Sequence, residues 1–290
     1  MNFDCGGLID LHVHTTASDG TLTPTEIVKY AMSKNLRAIA ITDHDTVDGL
    51  EEAVDTANLL NFEVIPGIEI SVEYKGSEMH ILGYYLDYKA PKLLSTLARL
   101  RDFRNDRNPR IISKLQELGC KISLAEVAAE AGGRVIGRPH IAAALFKKGY
   151  VSSKQEAFDK YLAFGQAAYV KKERLQPQEG IALILEAGGI PVLAHPLFLP
   201  EVGCAQLAEL VKKLREYGLQ GIEAYYPGHS PQDTGEYVRI AEKHGLLVTG
   251  GTDFHGANKP EIELGSGTGG LQIPYSLVSR MKEHKSRRGA

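Results

Sequence analysis

The stretch LIDLHVHT (residues 8–15) joins an apolar β-strand pattern to two histidines. Side chains alternate between the two faces of a strand, so His12 and His14 are expected on the same face. Both imidazoles can then reach one metal ion, and histidine nitrogen is a ligand of zinc, manganese and iron. The stretch therefore predicts a strand whose carboxyl end carries a metal site.

Further segments repeat this pattern of an apolar strand with histidine or carboxylate at its end. They are ITDHDT (41–46), GIEIS (67–71), the strand around His80, AHP (194–196) and GTDFHG (251–256). In α/β barrels the catalytic side chains lie at the carboxyl ends of the strands. Glu69 stands between two isoleucines, and a carboxylate buried there needs a cation or a hydrogen-bond partner. The set favours a multi-metal site over histidines that only fill a core.

Strand and helix patterns alternate at both ends of the chain, and helical patterns dominate residues 90–165. Capping boxes at TPTE (23–26) and SLAE (123–126) predict two helix starts. Near seven βα units on one core indicate a barrel-like α/β fold, with a parallel open sheet as the alternative. We expect barrel segments at 1–86 and 173–290, a helical insertion at 87–172, and a disordered tail over Lys285–Ala290.

The composition is that of a soluble globular protein, with 43% hydrophobic and 24% charged residues. No apolar run is long enough to span a membrane, and the first residues do not resemble a signal peptide. Cys5, Cys120 and Cys204 are far apart and odd in number, which argues against a disulfide framework. A cytoplasmic location is therefore expected.

The charges are unevenly distributed along the chain. Residues 87–172 contain 17 Lys and Arg against 8 Asp and Glu, whereas the remainder contains 16 against 28. A basic segment inside an acidic chain suggests an anionic partner, and a solvated helical face is the alternative.

The histidine and carboxylate motifs, together with the loop SDG (18–20), resemble the PHP (polymerase and histidinol phosphatase) family of metal-dependent, amidohydrolase-like phosphoesterases. GRPHIA (137–142) and YYPGHS (225–230) resemble the branch that includes nucleoside 3′,5′-bisphosphate phosphatases and related 5′-to-3′ exoribonucleases. The resemblance implies an α/β fold, a distorted (β/α)7 barrel, with a helical insertion domain.

Carried onto this sequence, the resemblance implies nine metal ligands: His12, His14, Asp19, His44, Glu69, His80, His195, Asp253 and His255. Glu69 would bridge two ions. Two to three divalent ions are expected, with Mn²⁺ preferred and Zn²⁺ or Fe²⁺ as alternatives, because mixed nitrogen and oxygen ligands suit all three metals.

The resemblance further implies hydrolysis of nucleotide phosphate esters. The expected substrates are the 3′-phosphate of nucleoside 3′,5′-bisphosphates such as pAp, and 5′-phosphorylated short RNA degraded from its 5′ end. A hydroxide held by two metals would attack phosphorus. His195 and His229 are candidates to assist the leaving oxygen, and Asp43 is a candidate to orient a metal ligand.

Substrate binding is expected from the basic insertion. Arg138 is suited to grip a phosphate with its planar guanidinium, and His140 lies on the first turn of the same predicted helix. Lys171 and Lys172 could reach a second phosphate, although a solvated surface position is the alternative for both. His229 is the candidate from the second barrel segment.

Other functions are compatible with the same motifs. They are a histidinol-phosphate phosphatase, a metal-dependent nucleic-acid binding or regulatory module, and a hydrolase of C–N bonds. The net charge of −3 and the lack of a DNA-reading motif argue against sequence-specific DNA binding. The expected partner is a small anion, either a nucleotide or short single-stranded RNA, and not a membrane; the oligomeric state stays open.

Overall fold

The computed structural model of the protein describes residues 6–131, 136–170, 174–199 and 203–288. The described residues divide into two compact units. The barrel unit comprises residues 1–95 and 175–290, and the helical unit comprises residues 96–174.

The barrel unit is built on a seven-stranded sheet. Its strands follow each other in the sheet in chain order: β1 (Leu8–Val13), β2 (Leu36–Ile41), β3 (Glu63–Tyr74), β4 (Ser77–Tyr84), β5 (Ile190–Leu193), β6 (Gly221–Tyr225) and β7 (Leu247–Gly250). A bridge between Val13 and Phe254 joins the end of β1 to the residues after β7, and the His14 amide donates to the Phe254 carbonyl at 3.0 Å. The sheet is therefore closed, which confirms the barrel and excludes the open sheet.

Strand β4 runs antiparallel to both of its neighbours, whereas all other pairs are parallel. It is joined to β3 by a turn at Lys75 (φ +48°) and Gly76 (φ +76°). Two central residues with positive φ are typical of the tight hairpin turn that matches strand twist. The hairpin replaces one helix of the regular repeat, and this is the distortion of the barrel. It also sets His80 opposite Ser71, on the sheet face that carries Glu69.

Ten α-helices are found among the described residues. They are α1 (Pro24–Ser33), α2 (Leu50–Leu60), α3 (Pro91–Glu117), α4 (Leu124–Ala131), α5 (Arg138–Lys147), α6 (Lys154–Ala157), α7 (Pro177–Glu186), α8 (Cys204–Glu216), α9 (Pro231–Lys243) and α10 (Ser276–Arg288). The capping box of α1 forms as predicted, with Thr23 and Glu26 exchanging hydrogen bonds. None of the described helices is long and apolar enough to cross a membrane.

Helices α4 to α6 and most of α3 belong to the helical unit, which has its own core. Ile111, Leu115, Ile141 and Leu145 are fully buried in it. Helix α6 continues as a π-helical turn at Phe158–Leu162.

Helix α10 contradicts the expectation of a disordered tail, because it extends to Arg288. Leu277, Val278 and Met281 are buried against residues near the strand starts, such as Ile9 and Ile190. These three residues lie within about one turn of one another and form an apolar face of the helix. Their burial anchors the helix, which continues into the segment that was expected to be disordered. The helix thus packs at the amino-terminal ends of the strands and leaves the carboxyl ends for the polar residues.

Candidate metal centre

All nine predicted ligands lie in the barrel unit. His12 is in β1 and His14 follows it, His44 follows β2, and His195 follows β5. Strand β7 ends at Gly250, and Asp253 and His255 lie in the loop after it. A side chain at Gly251 would clash with His12, so glycine lets this loop approach β1 closely.

Glu69 is the central residue of the cluster, and it is fully buried in β3. Its Oε2 lies 3.3 Å from Nε2 of both His12 and His14, and 3.0 Å from Nδ1 of His44. Its Oε1 lies 2.8 Å from Nδ1 of His80 and 3.0 Å from Nε2 of His195. The two oxygens therefore face two different groups of imidazoles, as a carboxylate that bridges two ions must.

Ligand atoms form three overlapping groups in which all atoms lie within 4.8 Å of one another. The groups are His14, Asp19, His44 and His255; His12, His14, Glu69 and Asp253; and His44, Glu69 and His80. His195 is outside these groups by this measure, although its Nε2 lies 3.3 Å from Nδ1 of His80. Each group combines nitrogen and oxygen donors, the mixture that suits a first-row divalent ion.

Four buried atoms at the middle of the cluster have no hydrogen bond to any described residue: Nε2 of His12, Nε2 of His14, Nδ1 of His44 and Oε2 of Glu69. Buried polar atoms are nearly always paired, because an unpaired one loses its hydration without compensation. These four converge on one another, so a cation between them would satisfy all of them. The residues present therefore fit divalent metal ions.

Several imidazoles make a supporting contact through one ring nitrogen, which leaves the other ring nitrogen free to coordinate a metal ion. His12 Nδ1 lies 2.9 Å from Oε1 of Glu223, and His255 Nδ1 donates to the Asp253 carbonyl at 2.7 Å. His80 Nε2 lies 3.0 Å from Oε1 of Glu78. Such contacts fix the tautomer and ring direction of metal-binding histidines.

Without a cation, the side chains of the cluster shift one another's pKa values. Burial alone would lower the pKa of His14, but the neighbouring carboxylates of Asp253 and Glu69 outweigh it and raise that pKa to about 9. Burial likewise opposes protonation of His80, and the charge of Glu69 raises its pKa to about 10. His44, His80 and His12 hold the pKa of Glu69 well below its usual value, against the effect of burial. Protons here occupy positions that metal ions would take.

Two of the predicted ligands have unusual backbone conformations. His195 has a φ of +22° and Asp253 a φ of +57°. Positive φ is uncommon for residues other than glycine, and such strained residues concentrate at functional sites. Their position in the cluster supports the assignment of this end of the barrel as the site.

Sequence reasoning missed several residues that support the ligands. Glu223 in β6 contacts His12 through one oxygen and accepts from the His195 amide at 2.8 Å through the other. Asp10 is fully buried, accepts from the Thr252 amide at 2.9 Å, and has its pKa raised to about 6 by burial. A carboxylate between apolar strand residues, the signal that identified Glu69, would have found Glu223.

Asp43, the candidate to orient a metal ligand, contacts the loop after β1. Its Oδ1 accepts from the Thr15 amide at 2.8 Å and from the Ser18 hydroxyl at 2.5 Å. It therefore holds the loop that leads to Asp19. Asp19 in turn lies 3.2 Å from Nε2 of His255 and 3.9 Å from Nε2 of His44.

Asp253 is supported by two donors that sequence patterns did not indicate. Lys259 Nζ donates to its Oδ2 at 2.6 Å, and the Tyr226 hydroxyl donates to the same oxygen at 3.0 Å. Burial raises the pKa of Tyr226, so the hydroxyl stays a neutral donor. Oδ1 of Asp253 remains directed to the histidines, 3.1 Å from Nε2 of His14.

A cavity of about 300 Å³ opens beside the cluster. One side of it consists of cluster residues, among them His44, Glu69 and His195, and Lys259 also lines it. A phosphate group could enter here and meet both the cluster and a cation.

Two of the candidates for substrate binding belong to the helical unit. Arg138 and His140 lie at the start of α5 in the helical unit, where Arg138 donates to the Leu162 carbonyl at 3.0 Å. His140 Nδ1 accepts from the Gly137 amide at 3.0 Å. Lys171 and Lys172 fall outside the described residues.

His229 lies in the loop after β6. Its Nδ1 donates to the Ala224 carbonyl at 2.9 Å. Burial lowers its pKa, which favours the neutral ring. Its roles in catalysis and in substrate binding stay predictions.

Comparisons with known proteins agree with this geometry. The sequence model of the PHP domain family matches residues 10–171. A 5′-3′ exoribonuclease of Haemophilus influenzae is 35% identical over 85% of this chain and 89% of its own length. A 3′,5′-nucleoside bisphosphate phosphatase of Chromobacterium violaceum is 31% identical over 89% and 90%.

A solved structure from Bifidobacterium adolescentis, assigned as a metal-dependent phosphoesterase, superposes with a TM-score of 0.73 at 31% identity. The match covers 94% of each chain. The sequence match to the domain, the relatives above 30% identity and the shared barrel all lead to one conclusion. This chain belongs to the PHP domain family, a family of metal-dependent phosphoesterases.

Proposed function

We propose that this enzyme hydrolyses phosphate esters of nucleotides. The preferred substrate is a nucleoside 3′,5′-bisphosphate, from which it removes the 3′-phosphate, and 5′-phosphorylated short RNA is the related substrate. The central observation is Glu69, whose two buried carboxylate oxygens face five histidine nitrogens at 2.8–3.3 Å. The names of the relatives support the substrate class.

The nine ligands would hold two to three divalent ions, with Mn²⁺ as the proposed metal. When bound, such ions activate water at neutral pH and neutralise charge on phosphoryl oxygens. The chain itself orients the ligands, through Glu223 on His12 and through Lys259 and Tyr226 on Asp253. Lys259 also adds a positive charge to the cavity, where it would attract the phosphate.

The helical unit is the proposed source of substrate selectivity. Arg138 and His140 are proposed to bind a phosphate of the substrate, and His229 to assist the leaving group or bind the substrate. The charge balance of +9 in residues 87–172 supports an anionic ligand for this part of the chain. A cytoplasmic location remains part of the proposal.

A substrate panel with added Mn²⁺ tests the proposal. It contains adenosine 3′,5′-bisphosphate, a 5′-phosphorylated dinucleotide, histidinol phosphate and a cyclic phosphodiester. We expect the highest kcat/KM for the bisphosphate or the dinucleotide. A higher kcat/KM for histidinol phosphate would replace the nucleotide assignment, and no hydrolysis of any ester would favour a binding or regulatory module.

A further inference from the structure

Phe198 is an exposed aromatic residue at the edge of the metal centre. It ends the short helical turn Pro196–Phe198, directly after the ligand His195, and 60% of its surface is exposed. A single exposed apolar residue is ordinary on a protein surface. Phe198 is unusual because it lines the same cavity as the metal ligands.

The ring of Phe198 is held in place by two neighbours. The His195 ring lies 5.2 Å from it at an interplanar angle of 65°, and the Tyr226 ring lies 5.7 Å from it at 90°. Both neighbours make edge-to-face contacts, which are a favoured arrangement of aromatic pairs. The ring is therefore positioned without being covered.

The cavity has two chemically different parts. The metal ligands, Glu78 and Lys259 form its polar part, and Phe198 is accompanied by the apolar side chains of Met79 and Leu199. A nucleotide has the same division, because an anionic phosphate is joined through a sugar to a flat aromatic base. Tyr226 connects the two parts, since its hydroxyl holds Asp253 and its ring supports Phe198.

We infer that Phe198 is the stacking surface for the nucleobase of the substrate, while the ester phosphate occupies the metal centre. The inference rests on the proposed function, because it requires a substrate with a base. Every base has a π-face, so stacking on Phe198 tolerates all four bases. Phe198 is thus a residue that selects nucleotides over small phosphate esters.

The test compares two substrates that differ only in the base: adenosine 3′,5′-bisphosphate and its base-free 1-deoxyribose analogue, which keeps the 2′-hydroxyl. Base stacking contributes about 1–3 kcal/mol per base. At about 1.4 kcal/mol per tenfold change, this corresponds to roughly a 5- to 150-fold rise of KM in Phe198→Ala for the adenosine compound. KM for the base-free analogue and kcat for both are expected to stay unchanged.

Two further variants complete the test. Phe198→Trp keeps an aromatic surface and is expected to retain the low KM. Leu197→Ala alters a 44% exposed neighbour in the same turn that does not line the cavity, and it is expected to behave as the wild type.

Equal changes of KM for both substrates in Phe198→Ala, or no change for either, would overturn the inference. If the wild type does not hydrolyse the adenosine compound at all, the proposed function fails. The stacking surface is then judged by calorimetric binding of the same compound to wild type and Phe198→Ala, and equal dissociation constants would reject it.

Discussion

At the scale of single residues, strand-end motifs predict the proposed ligands because metal coordination needs particular side chains in short, recognisable contexts. The nine proposed ligands could be named from the sequence together with a family resemblance. Lys259 could not, since a lysine in ANKPE has no motif of its own, whereas Glu223 in GIEAYY has the same apolar strand context as Glu69 and was missed. Their contacts to His12 and Asp253 arise only when distant segments are folded together.

Glu223 provides a residue-scale prediction. Glu223→Gln keeps the shape of the side chain but removes the charge that holds His12 Nδ1. Losing such a support costs about 10- to 100-fold in metal affinity or activity. Titration with Mn²⁺ followed by kcat/KM measurement checks this, with the exposed Glu216→Gln on α8 as the control. Wild-type affinity and activity in Glu223→Gln would show that the contact is not needed.

The protonation of the cluster gives a second prediction. His14 and His80, with pKa values of about 9 and about 10, are protonated at pH 8 without metal. Coordination requires the deprotonated form, so metal binding at pH 8 should release at least one proton and tighten as the pH rises. Calorimetry in buffers of different ionisation enthalpy measures the proton count. Histidines with the ordinary pKa of about 6.5 would release almost none at this pH.

At the scale of elements, most helices and strands could be predicted because capping boxes and apolar strands are local signals. The extended β3–β4 hairpin and helix α10 are different. The hairpin depends on the turn at Lys75 and Gly76, and it prolongs β3 beyond Ser71 to Tyr74. Helix α10 has many charged residues, and its packing against the barrel core stabilises it.

Met281 tests the role of α10. Its side chain is fully buried in the barrel core. Replacing a buried methionine with alanine removes apolar contacts and leaves a cavity, so Met281→Ala should lower the free energy of unfolding by about 2–5 kcal/mol. Urea denaturation measures this. The neighbouring exposed Arg280→Ala should change it by less than about 0.5 kcal/mol, and equal values for both variants would mean that α10 is not anchored.

The start of α5 carries the prediction for substrate selectivity. Arg138→Ala should raise KM for nucleoside bisphosphates far more than for a small artificial phosphate ester, because the small ester lacks the second phosphate. Arg110→Ala, which removes an exposed arginine of α3, is the matched control. Since Arg138 also bonds the Leu162 carbonyl, the melting temperature is measured in parallel. Equal KM effects on both substrates would remove the proposed role.

At the scale of the whole molecule, the sequence pattern predicted the α/β barrel with its polar residues at one end, and the closed seven-stranded sheet confirms it. This was predictable because alternating strand and helix signals leave few topologies. The features that select the substrate could be predicted less completely from the sequence. Charge balance and short motifs indicate an anion, whereas the Phe198 surface depends on three aromatic rings that meet only in the folded barrel.

The central claim is that one buried carboxylate organises a multi-metal phosphoesterase site. The most direct measurement is the metal content and hydrolysis rate of Glu69→Gln beside the wild type, with circular dichroism to confirm folding. The wild type should hold two to three Mn²⁺ ions per chain and cleave adenosine 3′,5′-bisphosphate. Glu69→Gln should lose at least one ion and nearly all activity. A folded Glu69→Gln variant with wild-type metal content and wild-type rate would contradict the account.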